Sequence, residues 1–255
     1  MQKTQAVILL AGRGERLRPL TTLTPKPLLP LAGRPILGWA LRALEHCGIR
    51  NATLVTGYRG RQVEQYARGE FGHLRVQFTR NPLYATTNTM YSLWKALGVA
   101  GGEPFVLIDG DLVFDPALLE RFLTTRGNAV LCDARSRLDA EAVKAFGDGS
   151  QRVLRIGKTV EGVAVPLGES IGMAKFDAKT SQRLHAVCGG LLKSGGMRDY
   201  YEAAFQKMMD DGIVFHAVDV QGAKWVEIDT KSDLNRAREL FGAFARHAES
   251  RNPRP

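Results

Sequence analysis

The stretch that decides the fold reads QAVILLAGRGERL and runs from Gln5 to Leu17. Its apolar run, Ala6 to Leu10, is too short for a signal-peptide core with a cleavage site and is typical of a buried strand. Two glycines follow this strand directly, in a turn where backbone N–H groups can approach a phosphate because no Cβ atom intrudes. The stretch therefore predicts a strand and then a phosphate-binding loop made of Leu10, Ala11, Gly12, Arg13 and Gly14.

Two other phosphate-binding signatures are excluded at this loop. The dinucleotide fingerprint needs a third glycine at position 17, which is Leu17 here. The full Walker A pattern, Gly-x-x-x-x-Gly-Lys-Ser/Thr, does not follow this strand either. Two glycines with an arginine are by themselves about as typical of a plain turn as of a phosphate site, so the neighbouring residues must decide.

Outward from this stretch, strand and helix patterns alternate, which favours an α/β fold with a mostly parallel sheet and helices on both faces. We expect one domain over residues 1–248 and a frayed tail at 249–255. The strand-rich part near 130–175 is predicted to be an excursion from the main sheet. The predicted strands are 5–10, 52–56, 74–79, 104–108, 129–132, 152–156, 170–176, 213–219 and 225–228. The predicted helices lie near 35–48, 60–70, 87–97, 178–192, 198–211 and 232–247, with another starting at 115.

Length and composition are those of an ordinary globular protein. The chain has 255 residues, of which 44 % are hydrophobic and 24 % charged, enough for one substantial core. No apolar stretch approaches the roughly 20 residues that cross a membrane. The cysteines, Cys47, Cys132 and Cys188, are odd in number and far apart, which suits a reduced compartment. We therefore expect a cytoplasmic protein that binds no membrane.

The formal net charge of +9 allows three interpretations. Basic surfaces bind nucleic acid through its phosphates. They also attract small polyanions such as a nucleoside triphosphate. Scattered charges can equally be a solvated surface without a partner. Because no nucleic-acid motif accompanies the charge, we expect no nucleic-acid partner.

A lysine held between two prolines strengthens the phosphate interpretation. The sequence TPKPLLPLAGRP spans residues 24–35 and places Lys26 between Pro25 and Pro27. Proline fixes φ and removes a backbone donor, so the segment is stiff and the lysine is pre-oriented. A solvated lysine in an extended loop is the alternative for this residue.

Carboxylates end two of the predicted strands. Asp109-Gly110-Asp111 follows a buried strand, and ligands of open α/β sheets bind where strands end. Glu227 and Asp229 are two residues apart, so on a strand they point to the same face. Converging carboxylates suit Mg²⁺, so Asp111, Glu227 and Asp229 are predicted to form its site. Asp229 could instead cap the last helix, and whether Asp109 takes part is left open.

The motifs together resemble those of a known family. Gly12-x-Gly14-x-Arg16, residues 25–28 and residues 33–35 are similar to the signature of the sugar-phosphate nucleotidyltransferases, and the resemblance covers roughly residues 4–245. These are Rossmann-like enzymes that make activated sugars and alcohols. The resemblance implies that the glycine loop holds nucleotide phosphates and that Arg16 contacts the β- and γ-phosphates. It also implies that Lys26 stabilises charge at the α-phosphate, and that Asp111 and Asp229 bind the metal.

A second set of motifs resembles a smaller branch of that family. Residues 88–93 read NTMYSL where most sugar-phosphate members have a Gly-Leu-Ala-Gln-like stretch. This motif, Gly168-Glu169-Ser170-Ile171-Gly172 and the Glu-x-Asp ending are similar to the cytidylyltransferases that act on phosphocholine, 2-aminoethylphosphonate or inositol phosphate. The resemblance implies that Asn88, Thr89 and Ser92 contact the base or ribose. Candidates for the acceptor pocket are Glu169, Tyr200 and Tyr201, with Glu202 beside the two tyrosines, although the tyrosines could equally pack a helix start against the sheet.

The sequence thus predicts a Mg²⁺-dependent cytidylyltransferase that acts on CTP and a small phosphorylated acceptor, as a monomer or homodimer. Its predicted catalytic residues are Lys26, Arg16 and Asp111. Arg13 and Arg16 are expected to hold the triphosphate. One alternative is a sugar-1-phosphate uridylyl- or thymidylyltransferase, and another is a catalytically silent subunit that binds nucleotide in the same pocket.

Overall fold

The computed structural model describes residues 4–160 and 165–251, with side chains up to residue 242. The strands are β1 (Gln5–Leu10), β2 (Pro30–Leu31), β3 (Arg34–Pro35), β4 (Asn51–Thr56), β5 (Arg75–Arg80), β6 (Phe105–Asp109), β7 (Leu112–Phe114), β8 (Asn128–Asp133), β9 (Lys144–Gly147), β10 (Arg152–Gly157), β11 (Val165–Phe176), β12 (Phe215–Asp219) and β13 (Trp225–Glu227). The helices are α1 (Ile36–His46), α2 (Gly60–Glu70), α3 (Thr89–Ala100), α4 (Pro116–Leu123), α5 (Ala178–Lys193), α6 (Glu202–Asp210) and α7 (Lys231–Arg251).

Within the described ranges, one sheet has the strand order β5-β4-β1-β6-β11-β8-β12-β10-β9. The first four of these strands are parallel, with β1 between β4 and β6. Strand β11 then runs antiparallel to β6 and β8, and β12 returns parallel to β8. The predicted α/β fold is confirmed. Because the apolar run of β1 is hydrogen-bonded on both sides, it lies at the centre of the parallel part.

The strands near 130–175 are not an excursion from the sheet. Strand β11 joins the parallel half to the rest by pairing with β6 on one side and β8 on the other. This strand contains polar residues and glycines, among them Gly168 and Gly172 at positive φ. Its central position in the sheet is therefore not visible in the sequence. The sequence pattern predicted the strand at 170–176 but not its place in the sheet, because a strand that borders a polar cavity does not need a continuous apolar run.

Two apolar clusters cover the faces of the sheet. One lies around Leu41 and Leu44 of α1 and Phe122 of α4, and the other around Leu93 of α3 and Phe205 of α6. The predicted N-cap of α3 is Asn88, whose side chain accepts a hydrogen bond from the N–H of Thr89. Both helix layers therefore pack as the alternation predicted, and the sheet edge between them stays open for a site.

The C-terminal helix extends further than predicted. Helix α7 begins at Lys231 and its backbone is helical through Arg251, whereas the pattern ended it near residue 247. Of the predicted tail, residues 252–255 lie outside the described residues, and its fraying stays a prediction. Among the helices in the described ranges, none combines the length and the apolar character that crossing a membrane requires.

Candidate active site

The glycine loop leaves the sheet at the carboxyl end of β1. Leu10 and Ala11 are buried, so only their backbones can face a ligand. Gly12 is exposed with open space around its Cα, and Gly14 has a φ of +61°, a conformation that favours glycine. A Cβ on Gly14 would lie 3.0 Å from Cβ of Lys26, so the loop and the lysine segment fit closely together. A cleft of about 440 Å³ opens over Gly12, Arg13 and Arg16.

Lys26 lies where the three predicted motifs meet. Its segment forms a 3-10 turn, Lys26–Leu28, that is anchored by the N–H of Leu28 on the carbonyl of Pro25 at 2.8 Å. Only 9 % of Lys26 is exposed. Its Nζ donates to Oδ2 of Asp111 at 2.6 Å and to Oδ1 of Asp229 at 2.9 Å. The stiff segment therefore delivers an ammonium group to the carboxylates at the strand ends.

A two-stranded ribbon brings these carboxylates together. Strand β7 pairs antiparallel with β13, in a register that sets Leu112 opposite Glu227. The N–H of Ile228 continues the ladder by donating to the carbonyl of Asp111 at 3.1 Å. Asp111 thus lies beside Glu227 and Asp229, although more than a hundred residues separate them in the sequence. One ligand oxygen from each residue lies within 4.8 Å of the others.

Asp229 faces the site and does not cap the last helix. The N–H groups of Asp229 and Thr230 donate to Oδ2 of Asp233, at 3.2 and 2.8 Å. That leaves both oxygens of Asp229 for cations, since Oδ2 lies 2.6 Å from Nη2 of Arg16. The capping alternative for Asp229 was wrong, because Thr230 caps the helix: its Oγ1 accepts a hydrogen bond from the N–H of Asp233 at 3.3 Å.

The charges of the cluster shift its pKa values in opposite directions. Burial would lower the pKa of Lys26, but the carboxylates of Asp111 and Asp229 outweigh it and raise that pKa. Burial would raise the pKa of Asp229, but Lys26 and Arg16 lower it. Glu227 has no such partner, so burial, and then the charges of Asp111 and Asp229, raise its pKa to about 8. The cluster carries more negative charge than its own cations neutralise.

A hard divalent cation fits this donor set. Asp111, Glu227 and Asp229 offer oxygen ligands only, which suits Mg²⁺ and disfavours softer metals. Burial and the neighbouring charges of Asp111 and Asp229 raise the pKa of Glu227, and a cation beside the three carboxylates would offset that repulsion. The residues present therefore fit Mg²⁺, with Lys26 next to it.

Asp109 is held apart from this cluster. Its Oδ2 accepts a hydrogen bond from the hydroxyl of Tyr201 at 2.8 Å, and its Oδ1 is buried without a partner. Burial, followed by the charges of Asp111 and Glu202, raises its pKa well above the usual range. A Cβ on Gly172 would lie 2.7 Å from Oδ2 of Asp109, so glycine is needed where β11 passes this carboxyl. The structure thus makes Asp109 a buried neighbour of the cluster.

The predicted base-binding residues lie at the start of α3. Ser92 is buried, and its Oγ accepts a hydrogen bond from Nδ2 of Asn81 at 3.0 Å. The Oγ1 of Thr89 accepts from the N–H of Tyr201 at 3.0 Å, and Oδ1 of Asn88 caps the helix. All three residues line a cavity of about 820 Å³ beside the glycine loop. Each of these contacts uses a side-chain oxygen as acceptor, and the contact of these residues with the base or ribose stays a prediction.

The three predicted acceptor residues line the same cavity but differ in exposure. Tyr200 is 45 % exposed, whereas Tyr201 is only 3 % exposed and is tied to Asp109. Glu169 is half-buried, and its Oε2 accepts a short hydrogen bond from the hydroxyl of Ser136. Burial raises its pKa. The cavity therefore extends from the metal-ligand cluster to Tyr200, with Glu169 in its wall.

Glu202, named beside the two tyrosines from the sequence, also lines this cavity. It begins α6 and is 8 % exposed, with Oε2 unpaired. Sequence reasoning missed Lys158, which follows β10 and places its Nζ 5.3 Å from the ring centroid of Tyr200. For Lys158, the signal would have been its position directly after a strand.

The glycine loop, the buried lysine and the carboxylate cluster lie at the open edge of an α/β sheet, where proteins of this class bind their ligands. Within that class, the chain belongs to the MobA-like NTP transferase domain family, whose sequence model matches residues 6–162. This confirms the predicted relationship to NTP-using transferases.

Two curated relatives match part of the chain. The CMP-5'-(3-aminopropyl)phosphonate synthase of Streptomyces rubellomurinus is 37 % identical over 147 residues, which are 57 % of this chain and 23 % of that protein. The N-acetylmuramate alpha-1-phosphate uridylyltransferase of Neisseria meningitidis serogroup B is 40 % identical over 121 residues, which are 47 % of this chain and 52 % of that protein. The chain thus spans less than two thirds of either relative.

A solved structure matches nearly the whole chain. The inositol-1-phosphate CTP transferase from T. maritima has a TM-score of 0.79 and 23 % sequence identity, and the match covers 94 % of this chain and 96 % of that one. At this identity the similarity shows the fold. It extends the shared architecture beyond the family match, across the ribbon of β7 and β13.

Proposed function

We propose that the protein transfers CMP from CTP to a small phosphorylated alcohol or a phosphonate, with release of pyrophosphate. The observation that carries the proposal is the double hydrogen bond of Lys26 to Asp111 and Asp229. It joins the lysine segment to both carboxylate motifs beside the glycine loop. A buried lysine between the ligands of a cation is placed to meet a phosphate that the cation also holds.

The nucleotide triphosphate would lie along the glycine loop. Residues 12–14 and Arg16 line the cleft, where their backbone N–H groups and the two arginines could meet phosphates. Arg16 is exposed over most of its length and reaches Asp229 from the solvent side. It can turn to the β- and γ-phosphates, because an exposed ion pair is weakly held. These basic groups would orient the triphosphate with its α-phosphate toward Lys26.

Mg²⁺ would be held by Asp111, Glu227 and Asp229, and would supply charge neutralisation at the phosphates. An acceptor oxygen forms a bond to the α-phosphorus, and the bond to the bridging oxygen breaks, with its electron pair leaving on pyrophosphate. Lys26 stabilises the charge that develops on the α-phosphate oxygens. No general base is needed, because a phosphate monoester has its second pKa near 6 and is largely dianionic at pH 7. The chain therefore works by alignment and charge.

The choice of CTP rests on the resemblance at residues 88–93 and on the relative that makes a CMP-linked phosphonate. A sugar-1-phosphate and UTP form the second candidate, which the N-acetylmuramate phosphate relative favours at 40 % identity. In the cavity, the polar start of α3 would border the base, while Glu169 and Tyr200 would border the acceptor.

The test is pyrophosphate release with Mg²⁺, in which four NTPs are crossed with phosphocholine, 2-aminoethylphosphonate, inositol-1-phosphate and hexose-1-phosphates. Turnover with CTP and one acceptor without a hexose supports the proposal. Turnover with UTP or dTTP and a hexose phosphate would replace it by the second candidate. Nucleotide binding by calorimetry without turnover across the panel would instead favour a silent regulatory subunit.

A further inference from the structure

The cavity that would receive the acceptor is acidic, although the protein as a whole is basic. Ten carboxyl side chains line it, against three basic ones, whereas the whole chain has a formal charge of +9. Three of the ten are the proposed metal ligands, and Mg²⁺ that binds with the nucleotide would neutralise their charge. The others lie on the side that the glycine loop does not reach. A phosphate dianion with an uncharged tail would meet repulsion there.

Glu202 is the carboxylate in this cavity that most needs a ligand. It is 8 % exposed, and its Oε2 has no hydrogen-bond partner. Lys158 is near enough to lower its pKa, but the Nζ of Lys158 lies 3.2 Å from Oε2 of Glu141. A buried, unpaired carboxyl oxygen costs free energy unless a ligand donates to it. The oxygen therefore marks a place for a donor that the protein does not supply.

The charge and the shape of the site select the kind of donor. A sugar hydroxyl could donate to Glu202 but would leave a buried negative charge uncompensated, whereas an ammonium group supplies both the proton and the charge. A quaternary ammonium prefers aromatic faces, and it cannot donate a hydrogen bond. Tyr84, Tyr200 and Trp225 also line the cavity, and the Nζ of Lys158 already lies 5.3 Å from the ring centroid of Tyr200. The rings alone therefore do not select a quaternary ammonium, whereas the unpaired oxygen of Glu202 selects a group that can donate a hydrogen bond.

We propose that the acceptor is an aminoalkyl phosphonate or phosphate with a primary ammonium group, and that Glu202 binds this group. The proposal rests on the proposed function, since it names the substrate class of the same site. Asp109, whose Oδ1 is also buried and unpaired, lies in the same wall through its bond to Tyr201, the neighbour of Glu202. The tail of the acceptor then points away from Lys26 while its phosphorus group faces the nucleotide.

The experiment compares acceptors that differ only in the charged group. Pyrophosphate release from CTP is measured with 2-aminoethylphosphonate, 3-aminopropylphosphonate and phosphoethanolamine, each beside the analogue with a methyl group in place of the ammonium. For at least one pair, we expect kcat/KM for the amine to exceed that for its analogue by about a hundredfold. In Glu202→Gln, KM for that amine should rise about ten- to a hundredfold, the scale of a charge-assisted hydrogen bond. The KM for CTP should not change.

The matched control is Glu103→Gln, which removes the same charge at an exposed position that does not line the cavity. It should change KM for the amine less than threefold. Equal rates for an amine and its methyl analogue, or a higher rate with phosphocholine, would overturn the primary-ammonium proposal without touching the proposed function. An equal loss with both acceptors in Glu202→Gln would make Glu202 structural.

Calorimetric binding of the same acceptor pairs separates the two proposals. Selective binding of an amine by a protein that releases no pyrophosphate with any NTP would refute the proposed function and keep the ammonium site. Turnover without selectivity for an amine would support the proposed function and refute the ammonium site. Because the wild-type comparison needs no substitution, the proposal remains falsifiable even if the Glu202 variant does not fold.

Discussion

Lys26 contributes to catalysis and to the stability of the ligand-free site through the same two hydrogen bonds. Its Nζ neutralises Asp111 and shares Asp229 with Arg16, and these carboxylates in turn hold the ammonium in place. When a nucleotide binds, its phosphate would interact with Lys26 and its cation would interact with the two carboxylates. The residue can therefore exchange partners without leaving its buried position, which is what a charge-stabilising group in a closed site needs.

For Lys26→Ala we expect turnover to fall at least roughly a hundredfold, the scale found for one charge-stabilising donor. The melting temperature should also fall without Mg²⁺, because two carboxylates lose their shared cation. Saturating Mg²⁺ should restore the melting temperature but not turnover. The measurements are pyrophosphate release and thermal unfolding with and without Mg²⁺. Unchanged turnover would remove Lys26 from the proposed mechanism.

Glu202 allows a prediction about pH. Burial raises its pKa from 4.5 to about 7, so the folded protein binds more protons than the unfolded chain between these values. Stability from this group is therefore present at low pH and is lost as pH rises from 4.5 to 7. Glu202→Gln should unfold at higher urea concentration than wild type at pH 8, by up to about 3 kcal/mol, and match it near pH 4. A difference between the two proteins that is the same at both pH values would contradict this account.

At the scale of elements, the ribbon of β7 and β13 assembles the site. Sequence patterning predicted a strand at 225–228 but none at 112–114, since three residues after a turn carry no periodic signal. The pairing is visible only in the fold, because Leu112 and Glu227 are far apart in sequence. Lys26, Asp111 and Asp229 could nevertheless be selected from the sequence, since their motifs are local and resemble a known signature.

Other parts of the site were beyond sequence reasoning for a physical reason. Helix α3, strand β11, the start of α6 and the residue after β10 line the cavity, and each supplies one or two polar residues that are unremarkable in their own segment. Tyr201 was predicted as an acceptor residue, but the fold uses it to bond Asp109. The unpaired oxygen of Glu202 is a property of its surroundings, which no pattern of neighbours in the chain contains.

The turn after β6 offers a prediction at this scale. A Cβ on Gly110 would lie 2.3 Å from the carbonyl oxygen of Leu9 and 2.4 Å from Cδ2 of Leu10. Gly110→Ala must therefore push Asp111 away from β1. We expect about 2 kcal/mol or more of destabilisation in urea unfolding, and a turnover at least tenfold lower.

The control for that variant is Gly69→Ala, an exposed position in α2 with open space around it. There, alanine should stabilise the helix by up to about 1 kcal/mol and leave turnover unchanged. If Gly110→Ala folds with wild-type stability and turnover, the close approach of the two strand ends is not required for the site.

At the scale of the whole molecule, charge is distributed unevenly. The net charge of +9 surrounds a cavity whose lining is strongly acidic. The basic outside would attract the triphosphate, and the carboxylates inside would demand cations, which are the metal and, by our proposal, the ammonium of the acceptor. A sum of charges over the sequence could not reveal this division, because it depends on which side chains the fold turns inward.

This division leads to a prediction about metal, pH and stability together. Without metal, the raised pKa values of Glu202 and Glu227, about 7 and about 8, mean that stability should fall as pH rises from 4.5 to 8. Mg²⁺ binds ionised carboxylates only, so its stabilising effect should grow with pH over the same range as Glu227 loses its proton. At a Mg²⁺ concentration a hundred times the dissociation constant, the gain in the free energy of unfolding is about 2.7 kcal/mol.

Thermal unfolding at pH 6 and pH 8, with and without Mg²⁺, measures both trends, and Asp229→Asn should abolish the metal-dependent part. A Mg²⁺ effect that is equal at both pH values would show that Glu227 does not bind the metal, while no effect at either pH would refute the site.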